Sequence, residues 1–174
     1  FSDMLAEKAI SLVYKNIRKA YADGDNIEAR SNMLEGSLLA GMAFANAGVT
    51  AVHAFAYPIG AEFHIPHGMA NSIMLVPVMK FNLLGNMEKF AKIAALFGQR
   101  TRQLNQREAA ESMVSALEAL TRDLNVSRKL SGFGVKKENI PALAEGVMKV
   151  TRLLANNPRK ISLEDAKQIY ESVL

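Results

Sequence analysis

The chain has 174 residues, of which 49% are hydrophobic and 22% are charged, and its formal net charge is +4. This length and composition are those of an ordinary globular domain, and they exclude a disordered or low-complexity chain. The absence of cysteine excludes disulfides and thiolate metal sites, so imidazole, carboxylate or water would have to bind any metal. It also fits a cytoplasmic protein, which is the location we expect.

The positive net charge does not predict nucleic-acid binding. Residues 1–98 carry 8 basic and 8 acidic groups, and the excess lies in residues 99–174, which carry 13 and 9. The later basic residues are scattered among acidic ones, and no aromatic residues interleave with them to stack on bases. Their only adjacent pairs are Arg128-Lys129, Lys136-Lys137 and Arg159-Lys160. We therefore expect a solvated helical surface and no nucleic-acid partner.

Apolar residues recur at helical spacing from the start of the chain. A first stripe runs over residues 5–20 and ends at the Ala-Asp-Gly-Asp sequence of residues 22–25. A second helix is predicted over about residues 27–46, and its second half is apolar on nearly every side, so we expect that half to be buried all round. Gly36 and Gly41 lie inside this helix and destabilise it by about 1 kcal/mol each unless close helix packing offsets the cost.

The next segment contains the turns of the chain's central region. The pattern of residues 49–57 suits either a strand or a helix, and we predict a helix because no partner strand is evident. Pro58-Ile-Gly60 and Ile65-Pro-His-Gly68 predict the turn that follows. Another buried helix is predicted from about residue 68 to residue 82.

The remainder of the chain predicts four more helices with short connections. The first has an apolar stripe from Phe90 to Phe97 ended by Gly98, and the second begins with a capping box of Asn105 and Glu108. After a predicted loop over residues 131–134, the third has a stripe over residues 140–154, and the fourth begins at Ser162. Seven or eight helices in all predict the all-α fold class, a helical bundle without internal repeats.

All three histidines, His53, His64 and His67, fall within 15 residues, inside an apolar block over residues 36–79 whose only charged residue is Glu62. Such a cluster suggests a metal or proton-handling site. If the first lies on one helix and the third opens the next, the chain reversal can bring these two imidazoles to a common point. Glu62 and His64 are interpreted as solvent-facing turn residues. Two imidazoles do not complete a divalent-metal site, so further ligands must come from elsewhere.

The apolar block is long enough to raise a membrane alternative. Polar residues, prolines and glycines interrupt it, and neither an aromatic belt nor a flanking basic cluster frames it. We therefore predict buried core helices and no membrane association.

Several runs carry a resemblance to a known family. They are AVHAFAYPIG at 51–60, FHIPHGMAN at 63–71, LVPVMKFN at 75–82, EGSLLAGMAFANAG at 35–48, and Asn157-Pro-Arg159. Together they resemble the iron-containing (group III) alcohol dehydrogenases, and the resemblance spans nearly the whole chain.

The resemblance implies a two-domain enzyme of which residues 1–174 are the all-helical C-terminal domain, while the N-terminal dinucleotide-binding domain is absent. Enzymes of this family interconvert alcohols, or hydroxyacids, with aldehydes or ketones by hydride transfer to NAD or NADP. The helical domain would hold Fe²⁺ or Zn²⁺, which acts as a Lewis acid. The partner implied is a small-molecule substrate.

Individual residues are carried over by motif. His53 and His67 would be two metal ligands, and the other two, an Asp and a His four residues apart on one helix, are expected shortly upstream of Phe1. Tyr57 stands where many members have a histidine near the nicotinamide. It would contact cofactor or substrate, relay protons less readily than imidazole, and favour hydroxyacid chemistry. Phe44 matches a position that lines the substrate pocket.

No glycine-rich dinucleotide-binding loop occurs in the sequence. We therefore expect the chain to be a fragment or a processed product that is inactive in isolation. An apolar face left uncovered would favour a homo-oligomer. The alternative is a non-enzymatic helical module for interaction or oligomerisation that retains the scaffold. A haem or metal-storage bundle would need Glu-x-x-His pairs or a facing axial ligand, and neither pattern is found.

Overall fold

The computed structural model describes residues 1–127 and 129–174, so Arg128 of the first basic pair lies outside the described residues. Within them the chain is all-helical, as predicted, with short 3₁₀ turns and no strand. The α-helices are α1 Ser2–Ala22, α2 Ile27–Ala47, α3 Ala51–Phe63, α4 His67–Asn82, α5 Met87–Leu96, α6 Gln106–Asp123, α7 Ile140–Met148, α8 Thr151–Ala155 and α9 Leu163–Glu171. They form two compact units, residues 1–48 with 86–124 and residues 49–85 with 125–174.

In the first unit, α1 and α2 pack against each other over most of their length. The Asn26 side chain accepts a hydrogen bond from the Ala29 amide and caps α2. A Cβ on Gly36 would lie 2.8 Å from Val13 Cγ2, so glycine is needed for the close approach of these helices. A Cβ on Gly41 would have no described atom within 4 Å. Close helix packing therefore does not offset the destabilisation of α2 by this glycine.

The expectation that the second half of α2 is buried all round is wrong. Leu38 is 65% exposed, Phe44 54% and Met42 43%, whereas Gly36 and Ala43 are buried. The face of α2 that packs on α1 is made of small residues, and its large apolar side chains point to the surface. Hydrophobic periodicity identifies apolar surface but does not identify its partner.

The other helices of the first unit follow the predicted boundaries. α5 ends at Leu96, and Gly98 adopts the left-handed φ of 79° after it. Both hydrogen bonds of the capping box between Asn105 and Glu108 form at the start of α6.

In the second unit, α3 is a helix as predicted, but the turn predicted at Pro58-Ile-Gly60 is wrong. The helix continues through Pro58 to Phe63. The Pro58 ring packs on α7, where a Cβ on Gly146 would lie 3.0 Å from it. This tertiary packing compensates for the missing proline N–H. The chain reverses instead at His64, which has a left-handed φ of 53°, and α4 begins at His67.

The C-terminal end of α4 is fixed by a pair of amides. Asn82 is buried, and it exchanges two hydrogen bonds of 2.8 and 2.7 Å with Asn157. The Arg159 guanidinium donates to the Phe81 carbonyl and lies 3.8 Å from the centre of the Phe81 ring. The Asn-Pro-Arg run therefore anchors the helix that begins at His67.

Two later expectations need correction. The loop predicted at residues 131–134 is largely a 3₁₀ helix, Leu130–Phe133. The stripe over residues 140–154 belongs to two helices, α7 and α8. After the break the buried residue of α8 is Leu153, while Thr151 of the predicted stripe is exposed. Ser162 caps α9 as predicted, paired with Asp165.

No single helix among the described residues is long and apolar enough to cross a membrane. In the described part of the chain, only α2 and α3 taken together reach the required length and hydropathy, and they are bent by 100° at the break between them.

Candidate metal centre

The structure brings two of the three histidines together. His53 lies in the first turn of α3, and His67 is the first residue of α4. Their ring centroids are 5.4 Å apart. Two imidazoles bound to one tetrahedral ion, with metal to nitrogen distances of about 2.1 Å, would have centroids about 5 Å apart. The pair is therefore spaced as two ligands of one ion would be.

Glu62 and His64 are both exposed, as predicted for turn residues. His64 ends α3 in the left-handed conformation. This conformation reverses the chain between the two helices, and so His64 contributes to the site through its backbone.

The electrostatics favour a neutral imidazole at His53. Burial lowers its pKa, and the neighbouring His67 lowers it further. A neutral imidazole keeps the nitrogen lone pair that a metal ion binds. No group of three or more His, Asp or Glu side chains suited to a metal occurs within residues 1–127 and 129–174. The two imidazoles thus fit half of a metal site.

Tyr57 lies beside this pair, one turn after His53. Its ring centroid is 6.1 Å from that of His67 and 6.4 Å from that of His53, and 43% of the residue is exposed. A shallow groove of about 260 Å³ runs past it, lined by Ala56, Tyr57, Gly60, Ala61, Ile65 and His67. An accessible phenol next to two imidazoles is placed to contact a small molecule bound there.

Phe44 lies on α2 in the first unit and is 54% exposed. Its assignment to the substrate pocket stays a prediction.

Asn71, which no sequence pattern singles out as a site residue, lies one turn after His67 on α4. Its Nδ2 lies 3.1 Å from Nε2 of His67 and 2.9 Å from the His67 carbonyl oxygen. Its Oδ1 is buried, and none of the described residues gives it a hydrogen bond. The spacing of four residues on a helix was the signal that could have identified it.

The chain is an all-helical domain that carries two imidazoles at the spacing expected for two ligands of one ion. Residues 1–174 match the family model of the C-terminal domain of the Fe-containing alcohol dehydrogenase family. The chain therefore belongs to this family. It is 40% identical over 169 residues to 1,3-propanediol dehydrogenase of Klebsiella pneumoniae, covering 97% of this chain and 43% of that protein. It is 37% identical over 171 residues to lactaldehyde reductase of Escherichia coli, covering 98% and 44%.

Solved structures agree with this assignment. A crystal structure of a 1,3-propanediol oxidoreductase superposes with a TM-score of 0.96 at 39% identity, covering 99% of this chain and 45% of that one. An alcohol dehydrogenase from Oenococcus oeni superposes with a TM-score of 0.94 at 34% identity. The chain thus spans less than half the length of the relatives that it matches.

Proposed function

We propose that this chain is the C-terminal metal-binding domain of an NAD(P)-dependent alcohol dehydrogenase. The whole enzyme would interconvert an alcohol, or a hydroxyacid, with the corresponding aldehyde or ketone by hydride transfer. The observation that carries the proposal is the pair of imidazoles, 5.4 Å apart, in a chain that matches the family over its whole length.

His53 and His67 would hold Fe²⁺ or Zn²⁺, since imidazole suits both ions. The bound ion would supply Lewis acidity toward the substrate oxygen. Because a divalent ion takes at least four ligands, we propose that the remaining ones come from outside residues 1–174.

Relatives of different substrate range support a small alcohol or carbonyl compound as substrate. They include 1,3-propanediol dehydrogenase, lactaldehyde reductase and sulfoacetaldehyde reductase. We place that substrate, or the nicotinamide, against Tyr57 in the groove beside His67.

The proposal is tested by comparing the full-length gene product with the chain Phe1–Leu174. We expect the full-length protein to bind about one Fe²⁺ or Zn²⁺ and to reduce NAD or NADP with a small alcohol. The isolated chain should bind metal weakly and show no such activity, because its described residues supply only two ligands and its sequence has no dinucleotide-binding loop. Metal analysis and absorbance of the reduced cofactor measure both properties. A full-length protein without metal or dehydrogenase activity would contradict the proposal and favour a non-enzymatic module.

Tyr57→Ala tests the role of the exposed phenol. In the full-length enzyme we expect this variant to keep its metal but to raise KM for the cofactor or the alcohol about tenfold, the effect of losing a contact worth about 1.4 kcal/mol. Steady-state kinetics with each substrate varied in turn measures the change, and Tyr57→Phe shows whether the ring or the hydroxyl matters. Unchanged KM values for both substrates would remove Tyr57 from the site.

A further inference from the structure

The helix α2 is apolar on two opposite faces. One face packs on α1, and its buried residues are the small Ala29, Gly36 and Ala43. Successive residues of an α-helix are about 100° apart around its axis, which places a second set of apolar residues on the side away from α1. We call this second set the α2 stripe, and it consists of Leu34, Leu38, Gly41, Met42 and Ala45.

No described residue covers the α2 stripe. Leu34 is 73% exposed and Leu38 65%, and the other three residues are exposed as well. The stripe extends about 17 Å along the helix axis, at about 1.5 Å per residue. No charged residue follows Glu35 in α2. A continuous apolar surface of this kind marks a contact with another part of the protein or with a partner.

Gly41 provides a second, independent indication. Glycine is unfavourable inside a helix, so its presence there needs a reason. A Cβ on Gly36 would lie 2.8 Å from Val13 Cγ2, and the close approach of α1 therefore explains that glycine. A Cβ on Gly41 would meet no described atom within 4 Å. A surface that approaches the helix backbone at Gly41 would explain this glycine in the same way.

The size of the relatives indicates what covers the stripe. The chain matches the C-terminal part of its family and spans less than half the length of its relatives, so more than half of such a protein precedes the matched part. The proposed metal site requires ligands from outside residues 1–174, and they must reach His53, six positions after Ala47 at the end of α2. Neither observation requires a second copy of the chain.

We propose that the α2 stripe is the surface on which the N-terminal part of the same full-length polypeptide packs, through apolar side chains of its own. The inference rests on the proposed function in taking the chain as one domain of a longer enzyme. α2 then lies between α1 and the N-terminal part, which explains why this helix is apolar on two opposite faces.

The experiment places the photoreactive residue p-benzoylphenylalanine at position 38 of the full-length protein, where it replaces Leu38. On irradiation its ketone forms a covalent bond to a C–H group that it contacts. We expect a product that joins position 38 to a peptide preceding Phe1 in the same chain. A denaturing gel separates single-chain from two-chain products, and peptide mass spectrometry identifies the residues joined.

Leu104 provides the matched control. It is an exposed leucine of the same compact unit, and it lies outside the α2 stripe. The same photoreactive residue at position 104 should give no product with the N-terminal part. The control measures the reaction that does not depend on the stripe.

Gly41→Leu tests the stripe through the melting temperature, Tm, of the full-length protein. Leucine forms helices better than glycine, and no described atom lies near the added Cβ, so an uncovered α2 would gain stability and Tm would rise. Against a closely packed surface the added side chain clashes. We therefore expect a lower Tm than that of the wild type.

Two-chain products, single-chain products within residues 1–174, or no product at position 38 would overturn the inference. Equal products from positions 38 and 104, or a higher Tm for Gly41→Leu, would also overturn it. Metal analysis and dehydrogenase assays test the proposed function separately. A full-length protein without metal or activity that gave the expected product would contradict the enzyme and support the role of the stripe. An active metalloenzyme without the product would overturn only the role of the stripe.

Discussion

His53→Ala and His67→Ala, each introduced into the full-length gene product, are expected to lose bound metal and dehydrogenase activity together. Each variant removes one of the two imidazoles whose centroids lie 5.4 Å apart. If the metal contributes several kcal/mol of transition-state stabilisation, its loss lowers kcat by about a thousandfold or more. Metal analysis of the purified variants and initial rates of NAD(P) reduction measure the two effects.

His64 provides the control, since it belongs to the same cluster but ends α3 and has no ring contact with the pair of His53 and His67 among the described residues. His64→Asn is suitable because asparagine tolerates the left-handed backbone that His64 adopts. This variant should keep its metal and its rate. If His53→Ala and His67→Ala behaved like His64→Asn, the two histidines would not be the ligands.

The sequence predicts the fold class and the proximity of two histidines better than it predicts the path of the chain between them. The all-helical class follows from apolar spacing, and the approach of His53 to His67 follows from one chain reversal. The position of the reversal follows only in part, because Ile65-Pro-His-Gly68 marks it correctly, whereas proline and glycine at 58 and 60 have the same local signature of a turn. Only the packing of Pro58 on Gly146, distant in sequence, explains why α3 continues to Phe63.

The exposure of α2 and the contact of Asn71 with His67 escaped prediction for related reasons. Local composition shows that Leu38 and Met42 are apolar but not whether another part of the molecule covers them. The contact of Asn71 with His67 depends on the orientation of one amide relative to one imidazole, which only coordinates reveal. The periodicity of apolar residues carries no information about contacts between residues far apart in the chain or about the hydrogen bonds of single side chains.

Tyr170→Ala is expected to cause the largest loss of stability, about 3 to 5 kcal/mol, as for other large aromatic residues removed from a core. Tyr170 is fully buried, its ring is edge-on to that of Phe55 at 5.1 Å, and its hydroxyl donates to the Phe55 carbonyl at 2.7 Å. These contacts attach α9 to α3, the helix that carries His53 and Tyr57. Urea unfolding followed by far-UV circular dichroism measures the change, and a loss below about 1 kcal/mol would contradict this account of the core.

Tyr170→Phe separates the hydroxyl from the ring and adds a pH test. This variant keeps the packing of the ring and loses one hydrogen bond, so we expect its free energy of unfolding to fall by about 1 to 2 kcal/mol.

Burial raises the pKa of Tyr170 well above its ordinary value. In the unfolded chain the phenol ionises near pH 10, so its contribution is complete below that pH and is lost above it, by about 1.4 kcal/mol for each further pH unit. The difference in unfolding free energy between wild type and Tyr170→Phe should therefore be constant up to about pH 10 and shift against the wild type above it. The remaining tyrosines are common to both proteins and cancel in this difference, so a pH-independent difference would show that the Tyr170 hydroxyl reaches solvent in the folded state.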